Sequence, residues 1–200
     1  MKHMKEKKKY IFLIGLAVVG ILFGILFAYL LSKEDKLLTQ GYINNFFEAI
    51  HNGKIHYKAG IVNGISISLL YTTLIFILGI SIVGIPIILF MLFFKGFIVG
   101  FSIGTILNTY KVKGIIGAFF YVFPHHIISL VLLILLSYFA ILFSKRLAEY
   151  LFLKKEVGLK KLMQKYSRVF VIVLIGMVLC SVFEIFLSPF LLKVFTNMLF

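Results

Sequence analysis

The sequence predicts an all-α integral membrane protein with about five transmembrane helices, one half-membrane segment and interfacial helices. Three observations carry this expectation. The 200 residues are 62% hydrophobic and 14% charged, with a mean hydropathy of +1.09, well above the roughly 45–50% apolar usage of soluble domains. The apolar residues fall in long uncharged runs. The 21 Lys and Arg, against 7 Asp and Glu for a net charge of +14, lie almost entirely between those runs. In a soluble protein such an excess points to nucleic acid; between membrane spans it marks the cytoplasmic loops, and no nucleic-acid partner is expected. The single Cys180 leaves no internal disulfide and no multi-cysteine metal motif.

The chain opens on Lys2, Lys5, Lys7, Lys8 and Lys9, and then carries no charge from Tyr10 to Ser32. That run is long enough for a bilayer core of ~30 Å. Tyr29-Leu30-Leu31 offers no small-residue cleavage site, so a retained span at 10–32 is expected. In 33–58, Ile43, Phe46, Phe47 and Ile50 recur at helical spacing and predict a short helix at the interface. From Ala59 to Tyr110 the only charge is Lys95. The stretch suits two spans, 59–81 and 86–109, with Pro86 in the first turn of the second. The apolar segment 114–123 is too short to cross and reads as re-entrant, leading through Pro124-His125-His126 into a span at 127–144. A full sixth helix there is the alternative, and it would move the C-terminus to the other side. Residues 145–168 hold eight basic residues against Glu149 and Glu156 and read as a helical segment lying on the inner leaflet. A last span is expected at 169–189.

With five spans, thirteen of the basic residues fall on the N-terminal side and seven on the other: five in residues 1–9 and eight in 145–168, against four in 33–58, Lys111, Lys113 and Lys193. This places the N-terminus in the cytoplasm and the C-terminus outside, in a single domain of a cell membrane.

Candidate functional residues are few. Gly20/Gly24, Gly60/Gly64 and Gly96/Gly100/Gly104 each align on one helix face, a spacing that lets helices pack closely; homodimerisation is the other use of such a stripe, so a homo-oligomer stays open. Lys95 lies well inside its span, where a charge costs roughly 2.5–3.5 kcal/mol and calls for a partner. Glu184, about 7 Å away in depth by helical rise, is the expected one, in an ion pair between the third and fifth spans. His125 and His126 lack nearby cysteine or carboxylate, so no metal is expected there. Gly100-Phe101-Ser102-Ile103-Gly104 matches the serine-hydrolase pattern, but that pattern needs a strand-to-helix elbow and Ser102 sits inside an apolar helix. No catalytic residue and no cofactor is assigned.

Phe94-Lys95-Gly96 with Gly100 and Gly104, then Gly114, then Phe123-Pro124-His125, then Glu184 followed by Ser188-Pro189-Phe190-Leu191-Leu192 form an ordered set along nearly the whole chain. This set resembles the stage II sporulation protein M family of multi-pass membrane proteins. The resemblance implies a non-enzymatic scaffold at the sporulation septum that works during forespore engulfment. It further implies two extracytoplasmic partners that degrade peptidoglycan, stage II sporulation proteins P and D. The competing expectation is a permease-like transporter subunit with Lys95, Glu184 and His125 along a substrate path.

Overall fold

A computed structural model describes residues 2–53, 57–122, 125–154 and 158–199. Seven helices occupy them: α1 (Lys2–Leu30), α2 (Lys33–His51), α3 (Tyr57–Gly79), α4 (Gly84–Tyr110), α5 (Lys113–Val122), α6 (His125–Leu153) and α7 (Leu159–Leu199), with no strand among the described residues. Four helical stretches are long and apolar enough to cross a membrane: Lys7–Leu30, Gly84–Tyr110, His125–Leu153 and Leu159–Glu184. α3 has 23 residues, about 34 Å at helical rise, and so has the length of a fifth. Phe12, Leu22, Phe90, Ile172, Phe183 and Phe186 stand exposed on these helices. Such an apolar surface belongs against lipid.

The helix directions follow from the contacts. Gly96, Gly100 and Gly104 of α4 meet Ala17, Ile21 and Ile25 of α1 in the same order, so α1 and α4 run parallel. α7 runs antiparallel to α3, since Tyr166 bonds to Ile75 and Phe76 while Ser181 bonds to Ser68. α7 is also antiparallel to α6, with Phe143 stacked on Tyr166 and His125 beside Glu184. One end of the molecule therefore gathers the start of α1, the α3–α4 turn, the end of α6 and the start of α7, and with them Lys7, Lys8, Lys9, Lys145, Arg146, Lys160 and Lys161. The opposite end holds α2, the α4–α5 turn and the end of α7.

Local chemistry sets these elements. Ser32 caps α2 by accepting the Asp35 amide at 3.1 Å, and Glu34 and Asp35 place negative charge on its first turn. At the α4–α5 turn a Cβ on Gly114 would stand 2.7 Å from the Ile106 carbonyl oxygen, so glycine lets the chain fold back tightly on α4. α5 then returns only about 15 Å, the length of its ten residues, before α6 continues. The segment expected at 114–123 is thus a short helix that turns back, not a sixth crossing.

One expectation is corrected. The basic segment 145–168 does not lie along a leaflet: Lys145–Leu153 continues α6 and Leu159–Arg168 begins α7. The physical reason is that lysine and arginine ends of long helices reach water along their own stems, so charge alone does not end a helix. The expected last span, 169–189, is likewise embedded in a helix of 41 residues, about 60 Å long. It runs through Pro189, which lacks the amide that a helix interior uses.

Two apolar cores result. The larger joins α1, α3, α4, α6 and α7 through Leu13, Ala17, Ile75, Ile88, Leu92, Leu133, Leu136, Phe143, Tyr166 and Met177. The smaller lies at the end opposite the lysines and joins Phe47 and Ile50 of α2, Ile106 of α4, Ala118 of α5 and Phe195 of α7.

Candidate functional site

Between the two cores, α3, α4, α6 and α7 bring the polar residues of the spans together. His125 opens α6 and is buried. Its Nε2 lies 2.9 Å from Glu184 Oε2, and its Nδ1 lies 3.2 Å from the Cys180 carbonyl oxygen. A carbonyl only accepts, so Nδ1 carries a proton and donates to Cys180. An ionised carboxylate also only accepts. The 2.9 Å contact therefore holds one further proton, either on Nε2 as imidazolium against carboxylate or on Glu184 as an acid donating to neutral imidazole. In both cases the pair is neutral overall, which is how a polar pair is tolerated at this depth. The His125 side chain is 7% exposed and that of Glu184 33%, so Glu184 forms the open side of the pair.

Lys95 stands 5.6 Å above the centroid of the Tyr71 ring of α3, a cation–π distance. It interacts electrostatically with Glu184 and with His126. The direct Lys95–Glu184 ion pair expected from the sequence is not formed. Among the described residues the ion pairs are His125–Glu184 and Arg146–Glu149. The reason is register: the start of α6 sets His125 at the level of Glu184, while Lys95 of α4 lies over Tyr71 of α3. By helix rise, His125 lies about 28 Å from Ser144, whose hydroxyl bonds to Ser81 in the α3–α4 turn.

The other candidates divide clearly. Gly96, Gly100 and Gly104 face α1, not the cluster. A Cβ on Gly96 or Gly100 would collide with the carbonyl oxygen of Ala17 or Ile21, and one on Gly104 would stand 2.7 Å from the Ala28 Cβ. Gly20 and Gly24 answer from α1, where a Cβ would strike the Phe93 and Phe97 carbonyls. These five glycines are spent within one chain on the α1–α4 contact. Gly64 faces open space, so the Gly60/Gly64 spacing makes no such contact at that residue. Pro124 lies outside the described residues; Ser188 and Pro189 fall in α7 with their side chains outside the description. The Ser102 hydroxyl donates to the Ile98 carbonyl of its own helix at 3.1 Å. No group of three or more His, Cys, Asp and Glu among the described residues is placed to hold a metal ion.

Several contributing residues give little sign of themselves in the sequence. Tyr71 is one aromatic in an apolar helix, and nothing in its spacing says that it lies under Lys95. Tyr166, 1% exposed, donates to the Ile75 and Phe76 carbonyls at 3.2 and 3.0 Å and fixes α7 against α3. Asn108 donates to the Ala28 carbonyl at 2.9 Å and so satisfies one of the last carbonyls of α1. The legible signal there was the glycine stripe four residues earlier.

Compared with known proteins, residues 13–189 match the family described as stage II sporulation protein M. The chain has no match among curated proteins or among solved structures.

Proposed function

The chain belongs to the stage II sporulation protein M family, and from this premise we propose that it is a non-enzymatic scaffold that recruits peptidoglycan-degrading partners to the sporulation septum. It is a sporulation-related membrane protein; its partners on this reading are stage II sporulation proteins P and D, and the catalysis is theirs. The lysine-rich end faces the cytoplasm and the C-terminus lies outside, because short loops rich in Lys and Arg stay on the inner side.

The observation that supports the scaffold most is the small core at the far end. It turns α2 and the ends of α4, α5 and α7 into one built platform, with Phe47 packed on Tyr110 and Phe195 at ring distances of 5.5 and 5.1 Å. The Tyr110 hydroxyl further donates to Asn44 Oδ1 at 2.8 Å. Tyr42 and Phe46 stay exposed on that platform beside a groove of about 220 Å³ shared with Phe101 and Thr105. In the spans, Glu184 is paired with His125 and Lys95 lies over Tyr71.

Co-purification of the tagged full chain with proteins P and D from sporulating cells tests this. The wild type is expected to retain at least one of them, and Y42A/F46A to lose it while keeping normal membrane abundance. Equal capture by the platform variant and the wild type would contradict the reading. The permease-like alternative draws on the Lys95–His125–Glu184 cluster. It predicts that K95M abolishes function at unchanged abundance, whereas the scaffold predicts that such a variant still supports engulfment.

A further inference from the structure

At the lysine-rich end, α1, α4 and α6 leave a cleft of about 240 Å³ between them. Its rim carries Lys8, Lys9 and Lys145, and its wall is apolar, with Phe12, Leu89 and Tyr138. Tyr138 is held in that wall by stacking on Tyr10, ring centroids 4.0 Å apart. The three lysines are exposed, and among the described residues no carboxylate pairs with them; Arg146 next to Lys145 is taken by Glu149 at 2.8 Å. α4 also begins here, so the positive end of its backbone dipole points toward the rim.

We propose that this cleft binds one anionic phospholipid, with the phosphate held by Lys8, Lys9 and Lys145 and an acyl chain laid against Phe12, Leu89 and Tyr138. Three features select this occupant. The rim is positive only, which favours a phosphodiester over a zwitterionic headgroup that brings its own ammonium. The wall below is apolar, which a soluble phosphate ester cannot use. The cleft opens between membrane-crossing helices at the level where their charged ends begin, which is the depth of lipid headgroups; basic pockets between spans are a known form of headgroup site.

The test is native mass spectrometry of the full chain released from mixed micelles of phosphatidylglycerol and phosphatidylethanolamine. One phosphatidylglycerol is expected to survive release. K8Q/K9Q/K145Q should weaken its retention by roughly fivefold for each lysine, from about 1 kcal/mol per basic residue at an anionic surface. K160Q/K161Q/K165Q removes the same charge at the same end outside the cleft and should leave retention within twofold of the wild type. L89W fills the wall with the charges intact and should weaken retention as well. Equal loss in the two lysine triples would overturn the site in favour of diffuse attraction. Retention unchanged in K8Q/K9Q/K145Q or in L89W would overturn it too, as would inorganic phosphate displacing the lipid at equal concentration. Each variant is first required to elute as the wild type does on size exclusion, and L89W carries the test should the triple variant not fold.

Discussion

Lys95 and Glu184 announce themselves in the sequence because a charge inside an apolar run has to be explained. Their partners do not, because partners depend on depth, and depth depends on how far a short segment such as α5 turns back. The structure gives Glu184 to His125 and leaves Lys95 over Tyr71. This makes a graded prediction for thermal unfolding in detergent. E184A strips His125 Nε2 of its partner in a buried setting and should cost about 1–3 kcal/mol. The double-mutant cycle of E184A with H125A should show coupling of about 1 kcal/mol or more, and that with K95M clearly less. The reverse order would restore the pair that the sequence alone suggests. N108A, which frees the Ala28 carbonyl at the end of α1, should cost roughly 1 kcal/mol in the same assay.

Helices and their contacts were more legible than side-chain pairings. Residues four apart return to one helix face, so Gly96, Gly100 and Gly104 pointed to a close approach; that α1 is the partner follows from Gly20 and Gly24 fitting the same contact. A side chain in that contact meets backbone, which cannot move aside as a side chain can. G100L should therefore destabilise by about 3 kcal/mol or more, near or above the upper end of ordinary overpacking costs. G64L, facing open space, should be nearly neutral. Measured melting temperatures that fall equally for the two would refute the assignment. The ends of α6 and α7 were less legible. Lys145, Arg146, Lys160 and Lys161 interrupt the apolar pattern yet lie within α6 and α7, since long basic side chains tolerate either setting.

At the scale of the molecule, hydrophobic run lengths and charge placement carry most of the architecture, because a bilayer imposes both. The proposed orientation, with the lysine-rich end inside, makes a prediction of its own. In a Cys180→Ala background, a cysteine at Gly41 should react with an impermeant thiol reagent added to intact cells, and one at Lys160 only after permeabilisation. Labelling at 160 from outside would invert the orientation. The far-end platform was not legible: Phe47 and Phe195 are distant in sequence, and nothing but the fold brings them together. The scaffold reading rests on that platform. Its most direct measurement is fluorescence microscopy of a deletion strain, with a membrane dye, at the stage of forespore engulfment. The scaffold reading predicts arrested, bulging septal membranes over undegraded wall, restored by the wild-type chain and not by Y42A/F46A; engulfment that proceeds normally without the protein would contradict it.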